Sequence, residues 1–233
     1  MEIACFDIET IPHQNLPENV KPEFDPKSVK HGNTKDPTKR AAKESAERAK
    51  FNNTIIKTMS LHPDLCEVVC FGGMIFDTVT GEHEDTIITG DEDAVKGAWE
   101  WIMAATRTFT PLVSYNGIAF DLRVLMHRAI DLHIPVSGRV YHEITRRYSI
   151  TYHFDLMQVM ADWDRQSWMG LDFWLKRFGI GQKNGSGGDV YQMYLDGKIK
   201  EIGEYCLNDV LLTARLFSRV EPWVIRGAGL EDA

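Results

Sequence analysis

The segment EIACFDIET, Glu2 to Thr10, is an apolar, strand-forming run that begins almost at the first residue and is stopped by Pro12. It predicts a domain whose first element is central to its sheet. Within it, Asp7 and Glu9 stand two residues apart, and side chains two apart on a strand leave the same face. Two carboxylates side by side on an apolar strand repel each other and lose hydration unless a cation lies between them. Oxygen-only ligands suit hard cations such as Mg²⁺ or Mn²⁺. Taken alone, the pair is equally what a solvent-facing edge strand carries.

Past Pro12 the character changes. From about Gln14 to Met59 four prolines interrupt a polar stretch, and PTKRAAKESAERAKF, Pro37 to Phe51, then reads as a helix capped by Asp36. The window Lys21 to Lys57 holds ten Lys/Arg against five Asp/Glu, a basic island in a chain of net charge −8. Lys39, Arg40 and Lys43 in it are candidate phosphate contacts; the alternative is a solvated helix with internal ion pairs. Downstream, Cys66 to Asp77 and Glu84 to Gly90 are β-rich runs around a Gly81 turn. Asp91 to Thr108 has helical periodicity, Pro111 to Asn116 is a short strand, and Phe120 to Ala129 a helix. Leu171 to Phe178, Val190 to Leu195 and Ile199 to Val220 are further helices, with the loop GIGQKNGSGG between the first two. This order predicts an α/β domain: a mixed sheet flanked by helices, with a largely helical and irregular basic insertion, residues 14–59, inside a single domain of residues 1–233.

Two further constellations carry chemistry. In YNGIAFDLRVL, Asp121 follows a strand and an Asn-Gly turn and falls in a helix's first turn, where a carboxylate also favours the helix dipole. In EYCLNDVLLTARLF, Tyr205 and Asp209 are four apart on one helix face whose other members, Leu212, Leu216 and Val220, are apolar. A phenol and a carboxylate at the head of a buried face need partners.

The bulk properties narrow the options. A net charge of −8 argues against a protein that coats nucleic acid by bulk electrostatics, but not against one that grips a strand end locally. Four scattered cysteines make no disulfide framework. Cys66 and Cys70 are read as small apolar residues of a buried strand, in preference to a zinc site with His62. No run approaches the ~18 apolar residues of a membrane span, and the first residues lack a basic leader. An intracellular, cytoplasmic protein is expected.

Taken in order, FDIET, SYNGIAFDLRVL and EYCLNDVLLTARLF form one pattern. It resembles the DEDDy 3′–5′ exonucleases, whose fold is RNase H-like. With HFDLMQVM and LDFWLKRFGIGQK between, the wording is most similar to the exonuclease domain of family-B DNA polymerases and their stand-alone relatives. The resemblance implies that Asp7, Glu9, Asp121 and Asp209 bind two divalent cations, Mg²⁺ or Mn²⁺, with Asp7 bridging them. It also implies that Tyr205 orients the attacking water. The histidine branch of these enzymes has His five residues before the last Asp; here that residue is Glu204. The implied activity is two-metal hydrolysis at the 3′ end of single-stranded DNA, in proofreading or repair, with a polymerase or repair partner left open. RNA as substrate and a catalytically silent nucleic-acid-binding or protein-binding module are the alternatives. Thr10, Asn116 and Phe120, beside the carboxylates, are candidate contacts to the terminal nucleotide. Asp155 is read as a helix cap, Arg146 and Arg147 as a second small candidate for phosphate contact, and Trp163, Trp168 and Trp174 as candidate stacking residues for which a core role is the favoured alternative, for Trp174 above all.

Overall fold

The computed structural model describes residues 1–183, 185 and 187–224. Its frame is a five-stranded mixed sheet in the order β3-β2-β1-β4-β5. The strands are β1 (Glu2–Pro12), β2 (Cys66–Asp77), β3 (His83–Thr89), β4 (Leu112–Ser114) and β5 (His153–Asp155). β1 pairs antiparallel with β2 and parallel with β4, and it is central, as its unbroken apolar character predicts. Ala4, Phe6 and Ile8 point to one side, where they join Phe71, Trp99, Ile102, Leu122 and Leu125. That layer is made by α2 (Asp91–Arg107) and α3 (Asp121–Asp131). Ile3 and Cys5 point to the other side, towards Val210, Leu216 and Phe217 of α8 (Ile199–Val224). Shorter helices complete the domain: α4 (Gly138–Ile144), α5 (Leu156–Met160), α6 (Leu171–Phe178) and α7 (Val190–Leu195). This is an RNase H-like α/β arrangement. Among the described residues, no helix is long and apolar enough to cross a membrane.

Two local features decide what the sheet presents. The first is a register shift: Glu9 faces Cys70 while Thr10 faces Val68, so Val69 is an extra residue in β2. Cys66 and Cys70 therefore end in clusters on opposite faces of the sheet, although a regular strand would put them on the same one. All four cysteines are buried and free, as small apolar residues would be. The bulge is held by the head of α2, where Asp91 Oδ1 accepts from Val68 N–H at 2.9 Å and Gly90 N–H reaches Val69 O at 3.1 Å. The second feature is Gly72, paired with Asp7. A Cβ there would come 2.8 Å from Cys206 Sγ, so only glycine lets α8 lie this close to the sheet.

Within the insertion the helix runs past its predicted end. Its helix, α1 (Pro37–Ser60), runs nine residues beyond Phe51, although Asn52, Asn53, Thr54 and two isoleucines are weak helix formers. Tertiary anchoring overrides propensity: Thr10 Oγ1 donates to Ser60 O at 2.7 Å. Asp36 caps the helix as expected, accepting from Thr38 and Lys39 N–H. Phe24 packs back on Phe51, with Arg48 over its ring at 4.5 Å.

Candidate active site

Each acidic side chain is placed by a different part of the frame. Asp7 and Glu9 leave β1 on the face that meets α8, beyond the apolar Ile3 and Cys5. β4 is only three residues long and pairs with β1 at Ala4 and Cys5, which leaves the Ile8 N–H free of that ladder. Asp121, first residue of α3, accepts that N–H through Oδ1 at 3.1 Å. Asp209 lies one turn beyond Tyr205 on α8, and Tyr205 hydrogen-bonds to it. Glu9, Asp121, Asp209 and Tyr205 are all buried, while Asp7 stays partly open.

Electrostatics binds the four carboxyls into one group. Burial, then the charges of Asp121, Glu9 and Asp209, hold Asp7 well above the usual carboxylate range. Burial and Asp209 do the same to Glu9. Asp121 is pushed up to about 7, chiefly by burial, against hydrogen bonds from its own backbone, Asp7 and Ile8. Burial also raises Asp209, although Lys183 and Tyr205 oppose it. Burial lifts the Tyr205 phenol above its ordinary range, so it stays protonated and donates.

Sequence reasoning passes over Lys183, which sits in the glycine-rich loop between α6 and α7. Its ammonium is ion-paired with Asp209 Oδ2 and lies 5.4 Å from the centre of the Tyr205 ring. Burial works against its charge, but Asp209 and Tyr205 outweigh that and raise its pKa. The available signal is a single lysine in an otherwise uncharged glycine-rich stretch that lacks the spacing of a phosphate-binding loop.

The donor set suits a hard divalent cation. Among the described residues Asp209 Oδ1 is buried without a hydrogen-bond partner, and the Lys183 ammonium offsets the charge of Asp7, Glu9 and Asp209 only in part. Ligand atoms of Asp7, Glu9 and Cys206 lie within 4.8 Å of one another. The thiol is a poor member of that set. A hydrogen bond with Cys70 and burial keep Cys206 protonated, and it donates to Asp7 O.

The remaining candidates separate. Asn116 lies in the turn that leads to Asp121, with φ +73°, and among the described residues its buried Oδ1 is without a partner. The Thr10 hydroxyl is given to Ser60, and Phe120 packs against the α2–α3 core. Lys39, Arg40 and Lys43 are exposed near the far end of α1, about 25–32 Å along the helix from Ser60 at 1.5 Å per residue. The structure does not bring them to the carboxylates. Asp155 is structural, but not as the cap of its own helix. Its oxygens accept from Asn116 and Ile118 N–H and from Gln158, so it fixes the turn that delivers Asp121. Trp174 is stacked on Phe178 in the core.

Residues 76–228 match the family described as predicted 3′–5′ exonuclease related to the exonuclease domain of PolB. No curated protein matches the chain. Among solved structures, the family B DNA polymerase from the hyperthermophilic archaeon Pyrobaculum calidifontis superposes with a TM-score of 0.54 at 17% identity. It covers 95% of this chain, which spans 25% of the polymerase, and the likeness is one of fold. A structure of exonuclease I overlaps 72% of the chain and 40% of its own, at 16% identity and a TM-score of 0.34.

Proposed function

This chain belongs to the predicted 3′–5′ exonucleases related to the exonuclease domain of PolB, and from that premise we propose that it removes nucleotides from the 3′ end of single-stranded DNA, with Asp7, Glu9, Asp121 and Asp209 holding two divalent cations, Mg²⁺ or Mn²⁺. The supporting observation is that the charges of Asp121, Glu9 and Asp209, carried by α3, β1 and α8, all act on Asp7, beside a neutral phenol. Cations bound there would lower the pKa of a water and offset charge on the phosphate oxygens. Asp7 feels the charges of all three other carboxyls, which supports a role for it in holding both ions. The Tyr205 hydroxyl, protonated and tied to Asp209, orients the attacking water by hydrogen bond and does not serve as its base. Lys183 fixes the Asp209 carboxylate, and Asn116, whose buried Oδ1 has no hydrogen-bond partner among the described residues, is the candidate contact to the terminal nucleotide. Attack at phosphorus breaks the bond to the 3′ oxygen, giving a nucleoside 5′-monophosphate and a strand shorter by one.

Cleavage of 3′- and 5′-labelled DNA and RNA of equal sequence, with Mg²⁺, Mn²⁺ or EDTA, tests this reading. We expect stepwise loss from the 3′ end of DNA, abolished by EDTA and reduced at least a hundredfold in Asp7→Ala. Metal-independent cleavage, or full activity in Asp7→Ala, would sink it. Faster digestion of RNA would reassign the substrate.

A further inference from the structure

Outside the carboxylate site, on the outer side of the turn joining β4 to α3, lies a small open cavity of about 150 Å³. Three arginines line it, Arg123, Arg147 and Arg165, with three aromatic residues, Tyr148, Trp163 and Trp168. No carboxylate lines it, in a chain whose net charge is −8. Among the described residues none of the three arginines forms an ion pair, so nothing here offsets their charge. Three guanidinium groups around one concavity repel each other unless an anion joins them, and a planar fork of donors matches a phosphate.

The aromatic members are arranged for a flat partner. Tyr148 is 74% exposed, and its ring centre lies 5.6 Å from that of Trp163. Both residues hold left-handed backbone, φ +58° and +57°, which bulky side chains rarely adopt and which accumulates at binding sites. Arg165 covers the Trp168 ring at 5.1 Å, and among the described residues the buried Trp168 indole N–H has no acceptor. Arginine with exposed aromatic faces is the chemistry that holds a single nucleic-acid strand without reading its sequence.

We propose that this cavity is a subsite for one nucleotide of the substrate strand, back from the end being cleaved. The inference rests on the proposed nuclease reading, and two observations favour a strand over a free nucleotide. The cavity is smaller than the roughly 300–1,000 Å³ usual for a whole small ligand, so it takes one group of a longer one. It also backs on the catalytic turn: Ala119, in its wall, is two residues from Asp121, at most ~8 Å of backbone away. Gln158, another wall residue, donates to Asp155, which holds that turn.

The test uses the full chain and two variants, Arg147→Ala/Arg165→Ala and Tyr148→Ala, all at exposed positions. Binding of a fluorescent 12-nucleotide DNA is measured in EDTA across salt, and turnover of thymidine 5′-(p-nitrophenyl phosphate), which is too small to span both sites, is measured with Mn²⁺. Expected is a 5- to 100-fold weaker oligonucleotide affinity, the range that removing one stacked ring gives. The arginine variant also lowers the salt slope by about 0.7 for each phosphate it no longer neutralises. Turnover of the small ester stays at the parent level, and Tyr148→Phe binds like the parent. Unchanged affinity and slope in both variants overturn the subsite. Equal loss of ester turnover overturns it too, because the residues would then be shaping the catalytic turn. Thymidine monophosphate that competes at micromolar levels through the same residues would replace the strand by a free nucleotide. A parent that binds oligonucleotide through these residues but never hydrolyses the ester overturns the nuclease reading and leaves the subsite standing.

Discussion

Asp209 is shared between two claims on its charge. One oxygen is taken by Lys183 and the other has no partner, so an incoming cation and the ammonium compete for the same carboxylate. Lys183→Ala should therefore lower the Mn²⁺ concentration that gives half the maximal thermal stabilisation, by several-fold, while turnover falls. Thermal melts over a metal titration read this directly, because a ligand that binds only the folded state raises the midpoint with its own dissociation constant. Tighter metal binding with slower turnover separates positioning from charge balance; unchanged metal affinity would show that Lys183 leaves Asp209 as it found it. At this scale the sequence is readable where side chains sit on regular elements. Asp7 and Glu9 follow from strand period, and Tyr205 and Asp209 from helix period. Lys183 is not readable, since nothing in the spacing of a glycine-rich loop says which way one of its side chains folds. Thr10 and Phe120 are neighbours of the carboxylates in sequence, but hydrogen bonding and packing engage them elsewhere.

At the scale of elements, the site exists because α8 comes close to the sheet and the β4–α3 turn is stiff. Gly72→Ala puts a Cβ 2.8 Å from Cys206 Sγ and should cost about 1–3 kcal/mol through overpacking. Differential scanning calorimetry would show a midpoint lower by roughly 3–10 °C, and Cys206→Ala in the same chain should restore much of it. The turn has its own titrating support. Gly117 N–H donates to Ser114 Oγ, and that hydroxyl lies 2.8 Å from His153 Nε2. The other ring nitrogen of His153 faces Ile144 O, also at 2.8 Å, so a neutral ring with its proton on Nδ1 satisfies every partner. Burial lowers the pKa of His153, against Asp155 and Ile144. A base whose folded pKa lies below its unfolded value of ~6.5 adds stability that is present above that pH and is lost as pH falls below it. Urea unfolding at pH 7 and 5 should show a loss that is smaller in His153→Gln; an equal loss would place the acid sensitivity elsewhere. The boundaries of β2, α6 and α7 are legible in the sequence because apolar period and flanking turns agree there. β5 is not: three residues are too few to show a period.

The whole molecule is an acidic domain with a basic arm. α1 is exposed along nearly all its length, and Lys39, Arg40 and Lys43 lie about 25–32 Å along it from Ser60. Lys39, Arg40 and Lys43 could then act only by long-range attraction or by holding distant phosphates. Replacing all three by Gln should weaken binding of a 30-nucleotide strand and flatten its salt dependence by about 0.7 for each phosphate left without its cation. Turnover on a strand too short to reach ~25 Å, the rise along α1 from Ser60 to Lys43 at 1.5 Å per residue, should not change. Filter binding between 50 and 200 mM salt decides it, and an unchanged slope would retire the arm as a phosphate guide. The arm's existence and charge are plain in the sequence. Its direction is hidden there, because it is set by tertiary contact at the end of the arm that returns to β1, where Thr10 donates to Ser60.

That bond has a further consequence, for how the chain folds. β1 and β2 are adjacent partners in the sheet, yet residues 13–65 separate them. Compared with a tight hairpin, a loop about ten times longer raises the entropy lost on closure by only about 2 kcal/mol. It does, however, turn a local pairing into a distant one, and distant pairings slow folding. A helix that has already formed between the strands shortens the flexible part of that loop, and Thr10 closes it at the point where Glu9 must be set. The arm should thus speed assembly of the carboxylate strand even in a chain that never meets nucleic acid.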